Sequence, residues 1–353
     1  MNALENKLCE IYGSKYAYFT GNATTALYLI FKSLNIRYKK VLFPNITCMA
    51  PVNAAIYAGY EVIFCDVNKN DYTIDIDALK NIIRNDSIGV VVPTHIYGHV
   101  CDMKEIYEVC KSNDVLVIED AAQTIGISKY NDYAVTSFGH TKILETELGG
   151  GVIFYKESAI KDFFDKYAKG LKDNNDKELS EQYSKEYYRI TKNLNGQKYY
   201  EKMRKLQYNS RNVFLGHFKD NIKLSSLLDK KDDILKSRYE RVQLYLENLD
   251  QKYFEFPKIN FTLENPLWRM TVIVKNLNRN AFVDEVRKNN IDISTWYPNL
   301  HKFYTEQNDQ EFKNSIFISD NLVNFWVSEK YSLIKIKHDI DIINKIAQNM
   351  CYS

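Results

Sequence analysis

A lysine ε-amine adds to carbonyl compounds to form Schiff bases once its surroundings lower its pKa. Lys142 is placed for that chemistry. It sits in the stretch Ser137-Phe138-Gly139-His140-Thr141-Lys142, which runs on to Gly149-Gly150-Gly151, between the strand-like runs Tyr133 to Phe138 and Val152 to Tyr155. With 47 Lys+Arg in the chain, a lysine is by default solvated surface, so the features before it must carry the argument. Asp120 ends the apolar run Val115 to Asp120, where a carboxylate needs a partner. It could cap a helix at residues 121–123, or pair with a protonated ring nitrogen. Earlier, Tyr16 to Phe19 breaks at Thr20-Gly21-Asn22-Ala23-Thr24-Thr25 before the helical pattern Ala26 to Phe31. A strand, a Gly/Asn/Thr turn and a helix start make an anion site from free N–H groups and the helix dipole, although Thr24 or Thr25 alone could be an N-cap. With the hydroxyl of Ser137, these are the parts needed to hold pyridoxal 5′-phosphate: a lysine for the aldehyde, an aspartate to keep the pyridine nitrogen protonated, and N–H and OH groups for the phosphate.

The elements that must position these residues follow from periodicity. Leu4, Leu8, Ile11 and Tyr12 predict an amphipathic helix over 1–15. Apolar runs at Val41–Pro44, Val62–Asp66, Gly89–Pro93 and Val115–Asp120 alternate with helical patterns at Pro51–Tyr57, Ile76–Arg84 and Met103–Asn113. Near-continuous apolar strands separated by helices predict an α/β fold, a mostly parallel sheet covered by helices on both faces. Ligands gather at the carboxyl ends of such strands. Thr24, His95, Asp120, Gln123, Ser137 and Lys142 all fall at or just after a strand end.

Residues 1–220 are thus expected to form a large cofactor-binding domain. It carries a helical excursion at about 156–209, rich in Lys, Asp, Glu and Tyr, whose charges read as a solvated face. Residues 221–353 are expected to hold one long connecting helix, Ile222 to Leu249, and a small α+β domain. Within that domain a strand is predicted at Leu267–Val274, a helix at Asn280–Asn290, then a further strand and a closing helix at Asp339–Met350.

Composition removes other classes. A formal charge of +2 without a basic block argues against nucleic acid. No apolar run nears the roughly 18 residues of a membrane span, and Met1 to Lys7 has no signal-peptide core. Six scattered cysteines without a CxxC pair read as reduced thiols of a cytoplasmic protein, and no His/Cys/carboxylate spacing predicts a metal site.

Further motifs fall in a fixed order: Asn22 to Leu27, Pro44-Asn45-Ile46-Thr47 with Asn53 to Gly59, Phe64-Cys65-Asp66-Val67, His95-Ile96-Tyr97-Gly98 with Asp102-Met103, Ile118 to Gln123, and Ser137 to Lys142 with Gly150-Gly151. Trp296-Tyr297-Pro298 ahead of Leu300-His301 closes the series. In this order and spacing the chain resembles the DegT/DnrJ/StrS aminotransferases, fold-type-I pyridoxal-phosphate enzymes that mostly aminate nucleotide-linked keto-sugars. The resemblance runs from about Glu5 to Phe154 and resumes from Trp268.

It implies that Lys142 holds the cofactor and then acts as acid and base, that Asp120 faces the pyridine nitrogen, and that Gln123 lies near the phenolic oxygen. Thr24, Thr25 and Ser137 would take the phosphate. His95, His140, Tyr297 and His301 become candidates for substrate contact, with His99 more plausibly packing. An amino acid, expected to be glutamate, would donate nitrogen to a keto-sugar. A homodimer with shared sites is implied too.

The chain also departs from the family. Cys48 stands where an aromatic residue usually stacks on the cofactor. The usual segment ahead of the first helix is missing, the excursion replaces a shorter loop, and the nearest candidate for an Asn-Tyr-Arg-Met motif is Tyr208 to Asn212. These departures leave open a smaller phosphorylated ketone as substrate, or a binding protein that has lost turnover. Dehydrating relatives replace the lysine by histidine, so Lys142 favours amino transfer.

Overall fold

Side-chain caps set the helix starts of the first half. Asn2 and Glu5 form a capping box on α1 (Ala3–Tyr12), and Asn22 caps α2 (Ala23–Ser33). Asp75 caps α4 (Ile76–Asn85) and Asp102 caps α5 (Met103–Lys111), with α3 (Met49–Ala58) between α2 and α4. The strands among them are β1 (Tyr16–Thr20), β2 (Lys40–Pro44), β3 (Glu61–Cys65), β4 (Val90–Val91), β5 (Leu116–Asp120), β6 (Tyr133–Ser137) and β7 (Gly151–Tyr155). This computed structural model describes residues 1–172, 177–217, 222–258 and 260–351.

The seven strands form one sheet in the order β1-β7-β6-β5-β4-β2-β3. The pairs β2–β3, β2–β4, β4–β5 and β5–β6 are parallel, and β7 runs against both β1 and β6. Strand β4 is shorter than the expected Gly89–Pro93, because Pro93 has no N–H to continue the ladder. Its flanks are still tied: Val92 N–H donates to the Leu42 carbonyl (2.9 Å) and Asp120 N–H to the Pro93 carbonyl (2.9 Å). Val41, Leu42, Phe43, Val117, Ile118 and Val135 are fully buried, each contributing about 1.5–3 kcal/mol relative to exposure.

The excursion is helical: α6 (Lys161–Ala168), α7 (Lys177–Asn193), α8 (Gly196–Asn209) and α9 (Arg211–Phe214). Its outer face is charged, while Phe164, Ile190, Met203 and Leu215 bury in the core around α2 and α3. The expected long helix from Ile222 to Leu249 is two helices, α10 (Ile222–Asp229) and α11 (Lys231–Asn248). Leu224 and Leu228 of α10 and Leu235 of α11 bury in one core with α1, whereas Val242 and Tyr245 bury in a second, so the change of core falls within α11.

That second core lies against an antiparallel sheet, β10 (Ile293–Ser294), β11 (Leu322–Trp326), β9 (Arg269–Val274) and β8 (Phe254–Glu255) in that order. Helices α12 (Arg279–Lys288) and α15 (Leu333–Cys351) pack on it, and α13 (His301–Tyr304) and α14 (Lys313–Asn321) return to the large sheet. Asp66, just beyond β3, accepts the N–H groups of Asn314 (3.0 Å) and Ser315 (2.8 Å) at the start of α14. The small sheet is thereby fastened over the carboxyl edge of the large one. Among the described residues no helix is long and apolar enough to cross a membrane.

Candidate active site

The carboxyl edge of the large sheet gathers Asn22–Thr25 after β1, Cys48 after β2, Thr94–Tyr97 after β4, Asp120 at the end of β5 and Ser137 at the end of β6. The start of β7 closes the edge. There Gly151 lies so near the entry of α2 that a Cβ would stand 2.3 Å from the Asn22 carbonyl carbon, so only glycine fits. The Asn22 side chain accepts the Thr25 N–H (2.8 Å), which orients the first turn of α2 with its positive end at this edge.

Lys142 and Asp120 meet here. Burial pushes the Lys142 ammonium below the ordinary lysine value; Arg269 adds to that push, while Cys48 and Asp120 oppose it. Burial likewise raises the Asp120 carboxyl, countered by Lys142 and by the Ala122 N–H, which donates to Oδ1 at 3.0 Å. Each group therefore feels the other's charge at this edge. The thiol of Cys48, at the start of α3 with no capping bond, belongs to the same set: burial raises its pKa and Lys142 lowers it. Ser137 Oγ accepts the Gly139 N–H (3.4 Å) at the mouth of the Lys142 loop.

An aromatic wall faces these residues. Lys142 Nζ lies 5.3 Å above the Trp268 ring, and the Trp268 indole N–H donates to the Thr141 carbonyl (2.5 Å), which pins the lysine loop. Trp268 stacks on Tyr297 (6.4 Å), and Tyr297 packs on Tyr97 (5.6 Å). Gln123 accepts the Tyr97 N–H (2.8 Å) and reaches the Tyr297 hydroxyl at 3.5 Å. The turn at Tyr97-Gly98 requires glycine, since a Cβ on Gly98 (φ +96°) would meet the Trp268 nitrogen at 2.6 Å.

Other expected residues are held elsewhere. Thr25 is fully buried and its hydroxyl accepts the Gly216 N–H (3.0 Å), so it docks the loop after α9 while Thr24, the next residue round the helix, stays at the edge. His140 turns to solvent and bonds Glu145 (2.8 Å), away from the amine two residues on. His301 stacks on Phe312 (4.2 Å) between Asn45 (3.0 Å) and Asp309 (2.8 Å), a clamp between α13 and the large sheet. His95 is buried with Nε2 on Glu119 (2.8 Å) and Nδ1 accepting the Cys101 N–H (3.2 Å), so neither ring nitrogen remains for a substrate. His99 packs against Tyr72 and bonds Thr271 (3.0 Å). Asn209 and Arg211, in the expected motif region, are exposed at the α8–α9 junction, where Arg211 reaches the Tyr28 hydroxyl (2.9 Å).

Sequence reasoning missed Arg269 and the part of Trp268 in pinning Lys142. A signal existed: Arg269 is the one charged residue in the otherwise uncharged buried run Arg269–Val274. The donor set fits pyridoxal 5′-phosphate: a half-buried lysine whose amine has a depressed pKa, a buried carboxylate on a strand end, and a helix start with neighbouring hydroxyls.

The chain is similar to known proteins along most of its length. A GDP-perosamine synthase of Escherichia coli O157:H7 is 33% identical over 157 residues, 42% of this chain and 43% of the relative, so the match spans less than half of that relative's length. A dTDP-3-amino-3,6-dideoxy-alpha-D-galactopyranose transaminase of Aneurinibacillus thermoaerophilus is 28% identical over 352 residues, 97% of this chain and 88% of the relative. The solved aminotransferase from Psychrobacter cryohalolentis shares the fold with a TM-score of 0.77 at 17% identity, over 98% of this chain and 90% of that one. The chain belongs to the DegT/DnrJ/EryC1/StrS aminotransferase family, whose sequence model matches residues 1–343.

Proposed function

We propose that this protein moves an amino group from an amino acid, L-glutamate, to a nucleotide-linked keto-sugar in the synthesis of amino-sugars for surface polysaccharide. The observation that carries the reading is the half-buried Lys142 and the buried Asp120, each within reach of the other's charge at the sheet edge beside the start of α2. The family works with pyridoxal 5′-phosphate. When bound, that group supplies an aldehyde to receive the amine and a ring to take up electrons from the donor's Cα.

The protein's own residues supply the rest. Lys142, its amine favoured in the neutral form by burial, would hold the cofactor through its aldehyde and would be the group placed to carry a proton at the donor's Cα. Asp120, whose carboxylate the Ala122 N–H steadies, would face the ring nitrogen and keep it protonated. Thr24, Ser137 and the first N–H groups of α2 hold the phosphate. Gln123, braced by the Tyr97 N–H, and Cys48 bound the ring. Tyr297 stands on the substrate side. The nucleotide-sugar assignment is supported by the two relatives above, a GDP-perosamine synthase and a dTDP-amino-sugar transaminase. The assembly we propose is a homodimer with shared sites, to be checked by light scattering.

Reconstituted protein should show the absorbance band of lysine-held cofactor. L-glutamate should bleach it, and one keto-sugar nucleotide from a panel should restore it. No band after reconstitution would overturn the reading.

A further inference from the structure

Thr94 and Asp120 are register partners on neighbouring strands. The Asp120 N–H donates to the Pro93 carbonyl (2.9 Å) and the His95 N–H to the Asp120 carbonyl (3.1 Å), so the ladder brackets Thr94 on both sides. Paired residues of such a ladder lie roughly 4.8 Å apart and send their side chains to the same face. The alternation is visible one residue on, where His95 meets Glu119 (2.8 Å) on the other face. Thr94 is thus set beside Asp120. On the opposite flank of β5 the register partner of Asp120 is Val135, which has no proton to give. Beyond β4 in the sheet lies β2, which leads on to Thr47, and the Thr47 hydroxyl is 3.2 Å from that of Thr94. Thr47 and Thr94 are 0% and 1% exposed, so their hydroxyl protons must go to protein acceptors.

An ionised carboxylate only accepts hydrogen bonds, and each hydroxyl carries one proton. Thr94 therefore gives its proton to Asp120 and takes that of Thr47, which sets one direction along the row. Burial makes the Asp120 carboxyl harder to ionise; Lys142, the Ala122 N–H, His95 and the Thr94 hydroxyl pull the other way, in that order. Cys48 at the start of α3 and Tyr297 from beside the small sheet feel the same carboxylate, which makes each harder to ionise. We propose that Thr94, backed by Thr47, is a positioning residue that keeps Asp120 ionised and aimed, so that the cofactor's ring nitrogen keeps its proton; this rests on the aminotransferase reading above. Lys142 cannot serve in its place, because its amine is committed to the cofactor aldehyde. Lys142 and His95 also change charge with pH, whereas a threonine hydroxyl offers the same proton throughout. The row is the constant part of the field on Asp120, and each link polarises the next.

The test begins with apoprotein, where the cofactor plays no part. Carbon NMR of carboxyl-labelled aspartate, with the Asp120 signal assigned by its loss in Asp120→Asn, should show that carboxyl titrating at higher pH in Thr94→Val than in the parent. Thr94→Ser, which keeps the hydroxyl, should return close to the parent midpoint. Thr94→Cys, a weaker donor of similar size, should fall between them and serves where valine disturbs folding. Thr47→Val should move the midpoint the same way by less, and adding it to Thr94→Val should move it no further, since Thr47 acts through Thr94. In protein loaded with cofactor labelled at the ring nitrogen, nitrogen NMR should show that atom less protonated in Thr94→Val, and turnover with L-glutamate should fall on the order of tenfold. An unmoved Asp120 midpoint in Thr94→Val overturns the proposal. So does a Thr94→Ser variant that behaves as Thr94→Val does, which would mark a packing role. A further shift in the double variant removes Thr47 from the row. Absence of a cofactor band in the parent protein overturns the aminotransferase reading, while the apoprotein midpoints still decide whether the hydroxyls govern Asp120.

Discussion

Glu119 and Asp120 are consecutive, buried acids at the end of one strand, yet they are built for opposite purposes. Glu119 is saturated: it takes the His95 ring (2.8 Å), the Ser128 N–H at both oxygens (2.9 Å each) and the Asn131 amide (2.7 Å). Asp120, on the opposite face, has the Ala122 N–H at Oδ1, the Thr94 side chain, and the charges of Lys142 and His95. Saturation makes the first a rivet between β5 and the loop after it. Incomplete pairing leaves the second with lone pairs for a ligand, at the cost of an acid that burial makes harder to ionise. Burial alone therefore does not mark a functional carboxylate. What marks it is burial with valence left over, and Arg269 shows the same feature in a cation.

Breaking each side of the contrast should have different consequences. The largest effect falls on the partner that gives Asp120 its purpose: Lys142→Ala should lower turnover by more than about 10³-fold and leave no cofactor attached after borohydride reduction, read by mass spectrometry. Asp120→Asn should still capture cofactor on Lys142 but lower turnover on the order of 10²-fold, since a neutral amide does not hold the ring nitrogen protonated. Glu119→Gln should do the reverse. It should lower stability by about 3 kcal/mol in denaturant unfolding, because an amide donor would face the donors of Ser128 and Asn131, while the folded fraction keeps its turnover within about twofold. Turnover lost without a change in the unfolding midpoint would erase the distinction between the two acids.

The smallest effect is a shift in pH dependence. Neutral amine is the reactive form, and burial sets the Lys142 pKa below the ordinary lysine value, so cofactor capture by the apoprotein should rise with pH through a midpoint below that value. The Asp120 charge holds this midpoint up, so Asp120→Asn should move it further down. Glu119→Gln should leave it unmoved. Capture rates across pH, followed by absorbance, check all three.

Much of this was legible in the chain. Parallel apolar runs, the turn at Gly21–Thr25 and the order Asp120, Gln123, Ser137, Lys142 rest on local chemistry, namely which residues alternate, cap and break. The histidines were not legible. His140 lies two residues from Lys142, yet the loop, with Thr141 at φ +70°, turns its ring out to Glu145. His301 follows a family motif and is a clamp to Asn45 and Asp309. The expected helix from Ile222 to Leu249 shows the same limit, since its periodicity is continuous while the chain breaks at Lys230 and α11 passes from one core to another.

The sequence by itself determined the cofactor chemistry, because a lysine, an acid and a phosphate turn at successive strand ends must share one edge of a parallel sheet. Tertiary structure alone decided which neighbours complete the edge. Thr25 went to Gly216 and Thr24 remained; Trp268 arrived from the small sheet, 126 residues beyond Lys142, to pin the lysine loop and bring Arg269 beside it. Local spacing cannot encode such arrivals. They depend on where a second core docks, and docking is a property of the whole packed surface.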